Sequence, residues 1–162
     1  VRRLADLFSG ELGHAQGLIF MHQGPDTLAR QTAFPGDPVG FEAYVNHVHL
    51  SEVVGESWRR SQDRREATLD LAHSLVRVWG QRLRGLFPRR SWVFYVDPED
   101  MTVRFHTKRG RKNWLDLSDQ AFLYIAGFEV YVQGPAGLQV IWTRKHPTLL
   151  TRGTRRLGTR AG

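Results

Sequence analysis

His47 and His49 stand one residue apart in a stretch that reads as extended. Alternate residues of a strand project to the same side, so the two imidazoles could share a metal ion and support metal-dependent hydrolysis. Such a centre needs a third protein ligand. Glu52 is the one available locally, while His22, His106 and Asp70 would have to be brought in by the fold. The chain has no cysteine, which removes thiolate ligation, thiol nucleophiles and disulfides from consideration. The plainer reading of the pair is two histidines hydrogen-bonded beside a core strand.

A second group is basic. Lys108, Arg109, Arg111 and Lys112 put four cations into five residues at the end of a strand, with Phe105, His106 and Trp114 flanking them. Cations at that density could straddle a phosphate backbone while the aromatics stack on exposed bases. A third group is Arg152, Arg155, Arg156 and Arg160, interspersed with Thr and Gly near the C-terminus. If those four arginines neutralised four phosphates of a duplex, affinity would fall with salt at a logarithmic slope of about −3.6. The net charge of +7 is mostly theirs, because residues 144–162 hold six cations and no acid, leaving 17 cations against 16 acids elsewhere.

Other chemistry is poorly represented. No Gly-x-x-x-x-Gly-Lys or Gly-x-Gly-x-x-Gly loop is present to cradle phosphates, and Ser51, Ser61, Ser74 and Ser91 sit in no nucleophile elbow. Asp97, Glu99 and Asp100 cluster around Pro98 as turn residues do. The sequence therefore points to a binding domain rather than an enzyme, with no cofactor expected. DNA or RNA is the first partner reading, an acidic protein partner in a regulatory complex the second, and the His-x-His hydrolase the third.

The elements that would position these groups follow from periodicity. Leu69, Ala72, Leu75, Val76, Trp79, Leu83 and Leu86 recur every three or four residues, which gathers them on one face of a helix over residues 63–86. Asp63 and Glu66 have the spacing of a capping pair, and Pro88 stops the run. Two hairpins follow, Trp92–Val96 with Met101–Thr107, and Phe128–Gln133 with Leu138–Thr143, separated by a short helix from Ser118 through Tyr124 or Ile125. Upstream, residues 2–8 begin a short helix, Gly17–His22 and Thr27–Phe34 pair as a hairpin, and Phe41–Leu50 forms a strand with neither face cleanly apolar.

The class this implies is α+β, an antiparallel sheet of about five to six strands with one long amphipathic helix on one face. At 162 residues, with 41% hydrophobic and 24% charged, residues 1–146 suffice for one domain, and residues 147–162 form a flexible basic tail. No apolar run approaches the roughly 20 residues a membrane span requires. The first residues lack the apolar stretch of a secretory signal, so a cytoplasmic location is expected.

Overall fold

The computed structural model describes residues 4–21, 26–112, 114, 129–134 and 136–143. Helix α1 (Leu4–Ser9) stops before Gly10, and a two-stranded ribbon follows, β1 (Leu12–Ala15) and β2 (Leu18–Met21). Gln16 and Gly17 join them with φ of 52° and 78°, the mirror-image turn whose twist suits antiparallel strands. Gly13 lies opposite Phe20, and a Cβ there would stand 2.3 Å from the Phe20 ring. The strand expected at residues 17–22 thus exists, but its partner precedes it. Ala29–Ala33 is a 3-10 turn, not a strand, because the Gln16–Gly17 turn closes a shorter loop at less entropic cost.

The first half of the strand expected over Phe41–Leu50 is a helix. Asp37 caps α2 (Pro38–Val45) by accepting from the Gly40 amide at 3.1 Å, and Pro38 occupies the first turn, where its missing N–H is harmless. Phe41 and Val45, one turn apart, pack on Leu18 and Phe20 of β2. Glu42 and Asn46, also one turn apart, are fully buried, so a polar pair inside the protein disguised the helical stripe. Extended backbone resumes only at β3 (His47–His49), before a short helix α3 (Ser51–Val54) and a 3-10 segment, Gly55–Arg60.

Helix α4 spans Gln62–Leu86, as the periodicity predicts. Its cap is Ser61 rather than Asp63, with Ser61 Oγ accepting from the Arg64 amide at 3.3 Å. The sheet contains β3 and four later strands, β4 (Trp92–Asp97), β5 (Thr102–Thr107), β6 (Glu129–Gly134) and β7 (Gly137–Thr143). Their order is β3-β5-β4-β6-β7, and every pairing is antiparallel. The helix predicted from residue 118 through 124 or 125, and residues 147–162, lie outside the described residues.

Ala72, Leu75, Val76, Trp79 and Leu83 of α4 pack against Trp92, Phe94, Val103 and Phe105 to make the main core. Trp79 meets Phe105 edge to face at 5.6 Å and donates its indole N–H to the Leu7 carbonyl at 2.7 Å, which ties α1 down. His73 of α4 is 2.7 Å from Glu129 of β6, and Tyr131 donates to the same carboxylate. Burial alone would raise the Glu129 carboxyl, but these two hydrogen bonds hold it below the ordinary glutamate value. The other face of the sheet is built from the alternate residues, among them His47 and His49, Arg104 and His106, and Tyr95.

Candidate functional site

Glu42 is the organising residue. Its side chain is inaccessible to solvent, and it accepts from five donors: the Ile19 amide at 2.8 Å, the Thr107 amide at 2.7 Å, the Thr107 hydroxyl at 3.1 Å, and both terminal nitrogens of Arg109 at 2.9 Å. One turn on, Asn46 accepts from the Met21 amide and donates to the Ile19 carbonyl. Together the two side chains stand in for a strand along the free edge of β2, satisfying backbone groups that burial would otherwise orphan. Burial pushes the Glu42 carboxyl above the ordinary glutamate value, against the pull of the amides and of Arg109.

That arrangement fixes the end of β5 and the turn after it. The Lys112 amide donates to the Arg109 carbonyl at 3.1 Å, with Gly110 at a φ of 60°. Lys108 donates its amide to the Ser91 carbonyl at 2.8 Å. Between the α4–β4 connection, this turn and the tip of the β1–β2 ribbon opens a cleft of about 560 Å³, lined by Arg89 to Ser91, Thr107 to Gly110, and Gly17. Four of its lining residues are cations and none is acidic.

The guanidinium of Arg90 is held in place by partners that carry no negative charge. It donates to the Gly17 carbonyl at 2.9 Å, lies 3.4 Å from His14 Nε2, and sits 5.9 Å from the Phe87 ring centroid. Arg109 also reaches the Gly17 carbonyl, at 3.0 Å, while its charge is met by Glu42. Oriented N–H donors on a rigid scaffold, with excess positive charge, are what an anion requires.

The predicted basic residues divide accordingly. Lys108 and Arg109 line the cleft; Lys112 is drawn to Asp37 at 2.9 Å, and this contact holds the Asp37 carboxyl below its ordinary value. Arg111 is exposed on the turn. Of the expected stacking rings, Phe105 belongs to the core and His106 is fully buried, since both lie on strand β5 inside the packed layers. Trp114 is half-buried, with the Arg104 guanidinium 4.2 Å from its ring centroid and Tyr95 edge-on at 5.6 Å. Arg152, Arg155, Arg156 and Arg160 lie outside the described residues.

His47 and His49 do sit side by side, ring centroids 5.1 Å apart and nearly perpendicular. His47 Nδ1 bonds the Tyr44 carbonyl, and His49 Nδ1 is 2.9 Å from the Thr102 hydroxyl. Among the described residues no group of three His, Asp or Glu side chains is placed to hold a metal. His106 bonds Tyr95 and Thr107, and Asp70 is exposed on α4; His22 is outside the described residues.

Arg89, Arg90 and Gly17 were not singled out from the sequence. The adjacent cations after Pro88 were a visible signal, but only the fold brings them to Lys108. Among the described residues no helix is long and apolar enough to cross a membrane. Residues 1–124 match the Uncharacterized protein PM0498 family, and the chain belongs to it. No curated protein and no solved structure matches the chain.

Proposed function

We propose that this member of the family is an intracellular nucleic-acid-binding domain whose cleft seats backbone phosphates. The observation that carries the reading is the cleft itself, four cations from two separate connections converging on one cavity with no acid in its lining. Arg109 is compensated by Glu42, so Arg89, Arg90 and Lys108 are the residues assigned to phosphate. Arg152, Arg155, Arg156 and Arg160 would extend the contact along the strand, adding affinity without sequence preference.

The test is fluorescence anisotropy with labelled oligonucleotides across a salt series, comparing the full chain with an Arg90→Ala/Lys108→Ala double variant. Loss of two phosphate contacts should weaken binding at near-physiological salt and reduce the salt slope by about 2. An unaltered slope would remove the cleft from the account. A protein partner is the second reading, favoured by Val140 and Ile141, neighbours on edge strand β7 that are 54% and 50% exposed. A register shift at Val130 and Tyr131 lets both turn outward. No oligonucleotide binding together with a stoichiometric protein complex would select it.

A further inference from the structure

A row of rings runs from the outer side of α2 onto β3. Tyr44, 46% exposed, has its centroid 5.2 Å from Phe34 and 6.1 Å from His47, and His47 in turn is 5.1 Å from His49. In the sheet His47 is paired with Arg104, whose guanidinium faces Trp114. The row therefore continues from α2 across β3 to a cation and an indole on β5 and beyond. None of these rings is needed to fill the main core, which lies on the opposite face of the sheet.

The row and the cleft share one support. Glu42 points inward from α2 and holds Arg109 in the cleft wall, while Tyr44, two residues on, points outward. Lys112 is tied to Asp37 at the start of the same helix. His47 is level with Arg104 and His49 with Thr102, four and six residues along the chain from Lys108 in the cleft, so at about 3.3 Å per residue the phosphate seat and these rings stand roughly 13–20 Å apart, a span that a few nucleotides cover.

Resting on the reading of the cleft as a phosphate seat, we infer that the ligand is a single-stranded nucleic acid whose unpaired bases stack along Tyr44, His47 and His49. A duplex keeps its base faces buried and would offer the cleft its phosphates alone; only an unpaired strand can place a base on an exposed ring while its backbone stays in the cleft. Histidine and tyrosine accept any base in this way, so the strip adds strand selectivity and little sequence preference.

The experiment compares a labelled oligo-dT strand with a labelled hairpin duplex of equal length, by anisotropy, for the full chain and for Tyr44→Ala, Tyr44→Phe and the Arg90→Ala/Lys108→Ala variant. Loss of one stacked base in Tyr44→Ala should weaken the single strand about tenfold and leave the duplex unchanged. Tyr44→Phe, which keeps the ring, should bind as the parent does. Equal affinity for both forms, with Tyr44→Ala neutral toward each, would overturn the single-strand inference while leaving the cleft reading in place. Binding that survives loss of Arg90 and Lys108 but not of Tyr44 would overturn the cleft reading instead, and no binding of either DNA form would overturn both.

Discussion

Acidification should destabilise this protein through His106, and the amount can be worked out. The His106 side chain is fully buried. Its Nδ1 lies 2.8 Å from the Thr107 carbonyl and its Nε2 lies 3.0 Å from the Tyr95 hydroxyl. The carbonyl can only accept, so Nδ1 carries the proton and Nε2 accepts from Tyr95; the Trp114 amide also points at Nε2, from 3.4 Å. A proton added at Nε2 would have to turn the Tyr95 hydroxyl from donor to acceptor and would still face the Trp114 amide. Burial, with Arg109 adding to it, outweighs the Thr107 carbonyl and takes the group from 6.5 down to about 4.

The folded state then binds fewer protons than the unfolded state between those values, so stability is fully present above pH 6.5 and is lost as the pH falls toward 4. Between pH 7 and pH 5 the loss is about 2 kcal/mol, and the limiting value is about 3 kcal/mol. Urea titrations of the parent and of His106→Gln at both pH values isolate this contribution, since Glu42, Asp37 and Glu129 titrate in both proteins. The parent should lose about 2 kcal/mol more than the variant over that range. Nitrogen-detected NMR of the imidazoles gives an independent reading, with His106 expected as the Nδ1–H tautomer throughout. A His106 ring that titrates near 6.5, or equal acid sensitivity in the two proteins, would refute the argument.

Two further outcomes follow from the Glu42 hub and the turn beside it. Glu42→Ala leaves the Arg109 guanidinium, two amides and a hydroxyl without their acceptor, and should cost about 3–5 kcal/mol in urea denaturation; a loss below about 1 kcal/mol would mean water replaces the carboxylate. Gly17→Ala puts a side chain at a φ of 78° and should cost about 1 kcal/mol by thermal melting. Because the Gly17 carbonyl orients Arg90 and Arg109, oligonucleotide affinity should fall in the same variant, and unchanged affinity would show that the anchor is dispensable.

What could be seen in the sequence was what depends on local periodicity. The stripe from Leu69 to Leu86 and the alternation around Asp97–Pro98 gave α4 and the β4–β5 hairpin, because each has an apolar face set by neighbours in the chain. Helix α2 was hidden by Glu42 and Asn46, whose polar side chains face inward to bond the edge of β2; pattern reasoning assigns such residues to solvent. The Asp37-Pro38 pair, which starts this helix, reads equally well in sequence as a break in regular structure. For the candidate site, Lys108 and Arg109 were visible as a charge run, whereas Arg89, Arg90 and Gly17 joined them only through tertiary contacts. Phe105 and His106 read as stacking rings because spacing alone does not show that both faces of β5 are covered there, one by the main core and the other by Tyr95 and Trp114.

Buried Glu42 also explains how a turn with so many cations is held in one shape. Four positive charges within five residues repel one another, and solvent exposure weakens that repulsion without removing it. Two of the four are compensated by acids of α2 and its cap, Arg109 by Glu42 and Lys112 by Asp37. Arg90, from a different connection, is positioned by a carbonyl, an imidazole and a ring, none of which cancels its charge. The Arg109–Glu42 pair therefore fixes one wall of the cleft, and Arg90, whose partners carry no negative charge, keeps its positive field there. Under the proposed function, a phosphate entering there would displace water rather than a carboxylate, so its Coulomb gain would not be spent on breaking an existing pair. That division of labour is the physical ground for assigning ligand contact to Arg89, Arg90 and Lys108, and support to Arg109 and Lys112.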